Sequence, residues 1–95
     1  MRRRHTDPEV LRARCEAAAR MVDTHAAAHA RASERALAAP DDRQALELLE
    51  TAEQLHYLAV YELRRARRAL RRREAFDAFV ARWTPSPLPP GARRR

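Results

Sequence analysis

Between Pro8 and Pro85 the chain contains no glycine and a single proline, Pro40. Those two residue types are the strongest helix breakers, and the rest of the stretch is dominated by alanine, arginine, leucine and glutamate, all good helix formers. One interruption in such a stretch predicts two helices. Nothing alternates with period two between turn residues, so no strand is expected. The break is "APDDRQ", Ala39–Gln44. Pro40 disfavours helix at Ala39, Asp41 is placed to cap the next helix, and Gln44 follows three residues on. The opening "TDPE" offers Asp7 as a cap, Pro8 for the first helical position and Glu9 for the positive end of the dipole. Thr6 with Glu9 would form a capping box instead. Helix 1 is expected over about 8–39 and helix 2 over about 42–83, where "TPSPLPPG" ends it. A basic arm (1–6) and a proline-rich basic tail (84–95) flank this hairpin, 7–83.

Two long helices joined by a short turn pack antiparallel, so residues whose numbers sum to about 81 should face each other. In helix 1, Leu11, Cys15, Ala18, Val22, His25, His29, Ala32, Ala36 and Ala39 recur in steps of four and three. Helix 2 answers with Ala45, Leu48, Ala52, Leu55, Ala59, Leu63, Ala66 and Leu70. This is the spacing of a coiled-coil seam, with small residues that let the axes approach. The seam leaves apolar surface over. Around "LHYLAVYEL" helix 2 is apolar nearly all round, and helix 1 has too few large aliphatic residues to cover it. At 1.5 Å per residue the helices span about 48 and about 63 Å, so the end of helix 2 overhangs. The expected fold is therefore all-α: a long antiparallel helical hairpin that dimerises into a four-helix bundle. Leu55, Leu58, Tyr61, Phe76, Phe79, Val80 and Trp83 are the expected oligomer interface.

The formal net charge is +7, and all twenty basic residues are arginine. The chain has no lysine, isoleucine or asparagine, as expected of a GC-rich coding sequence. Charge alone therefore does not establish a nucleic-acid partner. Its placement says more. On a helical projection Arg64, Arg65, Arg67, Arg68, Arg71 and Arg72 fall within one arc, opposite Leu63, Ala66 and Leu70. The i,i+4 arginine pairs repel, by about 0.2–0.5 kcal/mol each in an isolated helix. Glu16, level with Arg65, and Glu9, level with Arg72, would relieve part of this, leaving a solvated face. An anionic partner, nucleic acid or an acidic protein, would relieve the rest. No helix-turn-helix, zinc-finger spacing or glycine-rich phosphate loop accompanies the arc.

His25 and His29 stand four apart on the seam, and helix 2 carries "ETAEQLH" with Glu53 and His56 as a Glu-x-x-His. The facing rule sets His25 against His56 and His29 level with Glu53. His25, His29, Glu53 and His56 thus form a candidate site for a transition metal, iron or zinc. The motif is similar to that of the di-iron carboxylate bundles of the ferritin-like class, and the hairpin outline resembles the two-helix encapsulated ferritins. The resemblance implies a bundle-core metal site holding Glu53 and His56. The glutamate such a site takes from helix 1 has no counterpart, with Asp23 and His25 nearest its place. The plainer reading makes these histidines packing residues at the edge of an alanine-rich seam.

Cys15 is the one cysteine, which suits a reducing compartment, and no apolar run is long enough to cross a bilayer. "MRRRHTDPEV" has the basic start of a signal peptide without its apolar segment, so a cytoplasmic protein is expected. Cys15 lies about 15 Å along the helix from His25, and Ser33 has no acid–base company, so no catalytic group is assigned. The expected function is that of a non-catalytic, oligomeric interaction protein whose arginine-rich helix 2 docks on an anionic partner. The alternative is a ferritin-like metal-binding protein with the His/Glu site in its bundle.

Overall fold

The computed structural model describes residues 7–83, which form two α-helices and no strand. Helix α1 is Pro8–Ala38 and helix α2 is Arg43–Trp83. The basic arm and the proline-rich tail lie outside the described residues. Pro8 occupies the first turn of α1, where its missing N–H costs nothing, and the Leu11 N–H donates to the Asp7 carbonyl at 2.9 Å. Asp7 stands at the N-cap position, but its side chain makes no capping hydrogen bond. At the other end Ala39 leaves the helix with φ −136° and ψ 71°, outside the helical region that the following Pro40 disfavours. Its N–H still reaches the Arg35 carbonyl at 3.1 Å.

The connection differs from expectation by one residue. Asp42, not Asp41, caps α2: its Oδ1 accepts from the Gln44 N–H at 3.0 Å and the Ala45 N–H at 3.3 Å. The Asp42 N–H donates to the Ala39 carbonyl at 3.0 Å, closing a turn in which Asp41 is a central residue. Asp41 is spent on the turn, and the cap passes to its neighbour.

The helices fold back on one another as a hairpin, and the register is the expected one near the turn and midway along. His25, Ala28 and Ala32 of α1 line one groove together with Leu48, Ala52 and Leu55 of α2, and His29 lies against Glu53. The buried core is Leu11, Ala36, Ala45, Ala59, Leu63 and Ala66, mostly alanine. Leu48 and Leu55, expected inside the seam, are 45 % and 43 % exposed. Alanines hold the innermost positions, and the larger side chains are displaced to the flank of the contact. Leu58, Tyr57, Tyr61, Phe76, Phe79, Val80 and Trp83 are exposed too. A large part of the apolar surface of α2 thus has no cover from α1.

Candidate functional site

Arg64, Arg65, Arg67, Arg68, Arg71 and Arg72 occupy successive turns of α2, and all six are exposed. They face away from Leu63 and Ala66, which are buried against α1, so the expected arc is a surface of the folded hairpin. None of the six forms an ion pair among the described residues. The pairs there are Arg43–Glu47 and Arg73–Asp77, with His29–Glu53 an ion pair only when the imidazole is protonated. The relief expected from Glu16 is accordingly not made. Among the described residues the six charges line one helix face without a paired carboxylate, spaced closely enough to act on the same ligand within a Debye length of about 8 Å.

Arg73 has a different role. It is half-buried, and its Nε lies 3.1 and 3.3 Å from the two carboxylate oxygens of Asp77. Its guanidinium also sits 5.9 Å from the Phe76 ring centroid, within reach of a cation–π contact. This arginine ties down the start of the overhang, where Phe79 and Trp83 follow with ring centroids 6.0 Å apart. The i,i+4 spacing of Arg73 and Asp77 was readable in the sequence, but the pair was not singled out there.

The histidines divide. His29 of α1 joins Glu53 and His56 of α2 at one groove, which also takes in Tyr57, Tyr61 and Arg64. His29 Nε2 lies 3.6 Å from Glu53 Oε1, and the His29 and His56 rings stack with centroids 5.9 Å apart and planes within 12° of parallel. His25 lies on the opposite flank with Leu55, Ala18 and Met21, not against His56. The four residues therefore do not converge. Imidazole donates to a metal through a lone pair in the plane of its ring, and two stacked rings aim those pairs along separate planes. Among the described residues no three His, Cys, Asp or Glu side chains are grouped to hold a metal ion. What His29, Glu53 and His56 do make is a polar clasp across the hairpin.

The expected interface residues are all exposed on α2: Leu55, Leu58 and Tyr61 midway, Phe76, Phe79, Val80 and Trp83 beyond the start of α1. Leu37, 81 % exposed, and Leu46 add apolar surface on either side of the turn. No helix among the described residues is long and apolar enough to cross a membrane. Comparison with family models, with curated proteins and with solved structures finds no match to this chain.

Proposed function

We propose that this chain is a non-catalytic interaction protein of the cytoplasm, a helical hairpin that self-associates into a four-helix bundle and docks an anionic partner on α2. The partner is a nucleic acid or an acidic protein surface. The observation that supports this is the set of six exposed arginines, Arg64 to Arg72, none of which forms an ion pair among the described residues. Like charges at i,i+4 destabilise the helix that carries them, and an anion laid along the face offsets that repulsion. Guanidinium forks suit both phosphate and carboxylate. Self-association is supported by the uncovered apolar surface, from Leu55 through Tyr61 and at the aromatic overhang.

The test is binding of a labelled nucleic acid and of a labelled acidic peptide at nanomolar protein, read by anisotropy over a salt series. Affinity should fall steeply with salt for a nucleic acid, because neutralised phosphates release counterions. Arg64→Glu/Arg68→Glu/Arg72→Glu should abolish binding with helicity unchanged. Binding that survives the triple reversal removes the arginine face from the function.

A further inference from the structure

One stripe of α2 combines the two properties just described. Glu47, Thr51, Gln54, Leu58, Tyr61, Arg65, Arg68 and Arg72 recur in alternating steps of four and three, and every one is exposed. Phe76, Phe79 and Trp83 carry the stripe onward, also exposed. Such spacing is the seam of a helix pair. The seam toward α1 is a different one, built on Ala45, Ala59, Leu63 and Ala66. The outer stripe is also polarised. Its first part is acidic and polar, with Glu50 beside Glu47, whose carboxylate also has the exposed Arg43 guanidinium 3.5 Å away; its middle is Leu58 and Tyr61; its last part before the aromatics is arginine.

That order is self-complementary. We propose that the anionic partner of the arginine face is the acidic half of α2 in a second copy of this chain, the two α2 helices packing antiparallel about a two-fold axis between Leu58 and Tyr61. This rests on reading the arginine face as a docking surface. Turning the stripe end for end about that axis sets Leu58 against Tyr61 and Gln54 against Arg65. Glu47 then stands level with Arg72, and Thr51, with Glu50 next to it, level with Arg68. Parallel pairing would instead set Arg65, Arg68 and Arg72 each against its own copy, which is strongly repulsive. An isologous contact needs one patch that fits itself, and an acid-to-arginine gradient about an apolar centre meets that condition. The ends are covered as well. Phe76, Phe79 and Trp83 run past the partner helix's acidic end and onto the partner's turn, where exposed Leu37 and Leu46 supply apolar surface. One contact therefore accounts for the bare arginines, the overhang and the apolar turn.

The experiment is sedimentation equilibrium of the full chain at micromolar concentration, at low and high salt, with charge-reversed variants. Wild type should be a dimer that weakens as salt rises. Glu47→Arg/Glu50→Arg and Arg68→Glu/Arg72→Glu should each weaken self-association by about 100-fold, since each creates like-charge contacts at both ends of the pair. An equimolar mixture of the two should restore a 1:1 dimer, because every reversed acid then meets a reversed arginine. A monomeric wild type, dimers in either reversed variant, or a mixture that stays monomeric would each overturn the pairing. Far-UV circular dichroism checks that the variants remain helical. If one does not, the pairing is read instead from oxidation of Leu58→Cys/Tyr61→Cys in a Cys15→Ala background. A disulfide-linked dimer through positions 58 and 61 supports the register, and its failure to form refutes it. The two readings separate cleanly: salt-sensitive nucleic-acid binding by a monomeric chain sinks this inference and leaves the anionic-partner function standing.

Discussion

The His29 and His56 rings lie 5.9 Å apart and within 12° of parallel, across the seam between the two helices. Stacked in this way they tie α1 to α2 rather than offering one metal two lone pairs. Iron(II) or zinc should accordingly give no rise in melting temperature that His56→Ala removes. A double-mutant cycle on His29 and His56 should yield a coupling of about 0.5–1 kcal/mol, read by urea denaturation. A metal-dependent gain lost in both single variants would restore the metal site.

The cap at Asp42 is the most local contribution to the hairpin. Two backbone N–H groups of the first turn of α2 depend on its Oδ1. Asp42→Ala should cost about 1 kcal/mol, and Asp42→Asn much less, because the amide oxygen still accepts. Asp41→Ala, at a position without that role, should cost clearly less than Asp42→Ala in the same denaturation series.

Ala45 and Ala66 are each 1 % exposed, and they set how closely the helices approach. Ala66→Leu should destabilise the hairpin by about 1–3 kcal/mol through overpacking. Leu58→Ala, at an exposed position, should leave the unfolding of an isolated hairpin nearly unchanged while weakening self-association. Chemical denaturation at several protein concentrations separates the two effects.

Arg73 and Asp77 are 35 % and 44 % exposed at their side chains, so solvent discounts their ion pair heavily. A double-mutant cycle should give about 0.3–0.5 kcal/mol, shrinking as salt is added. Arg68→Gln, in contrast, removes repulsion from Arg64 and Arg72 and should raise the stability of the unliganded hairpin by a few tenths of a kcal/mol. The same change should weaken docking, so stability and binding should move in opposite directions at this position.

The hairpin was legible because its signals are covalent and local. Pro40 alone interrupts a glycine-free stretch, and Pro8 fits only a first turn. The cap was less so, since Asp41 and Asp42 are equally competent side chains. The choice depends on the hydrogen bond from the Asp42 N–H to the Ala39 carbonyl, which forms only once the turn has closed. The histidine site shows a different limit. Level along the axis follows from counting residues away from the turn, and it correctly set His29 beside Glu53. Which flank of the seam a side chain leaves by does not follow from that count. His25 and His29 straddle the contact, and only the packed helices reveal that they part. The arginine arc was readable by projection; that Glu16 does not reach it depends on side-chain placement, which spacing does not encode.

The turn at Ala39–Asp42 also fixes the order in which this hairpin can assemble. Ala36 and Ala45 enclose the shortest loop, and each layer further out closes a longer one, up to Leu11 and its neighbours on α2. Loop closure costs entropy that rises with length, so with the inner layers in place each new layer adds only a small increment. Contacts therefore form outward from the turn and are lost inward from the open end. Amide protons on α1 should exchange fastest near Pro8 and slowest toward Ala36, a gradient that makes the molecule a zipper with its slider at Pro40.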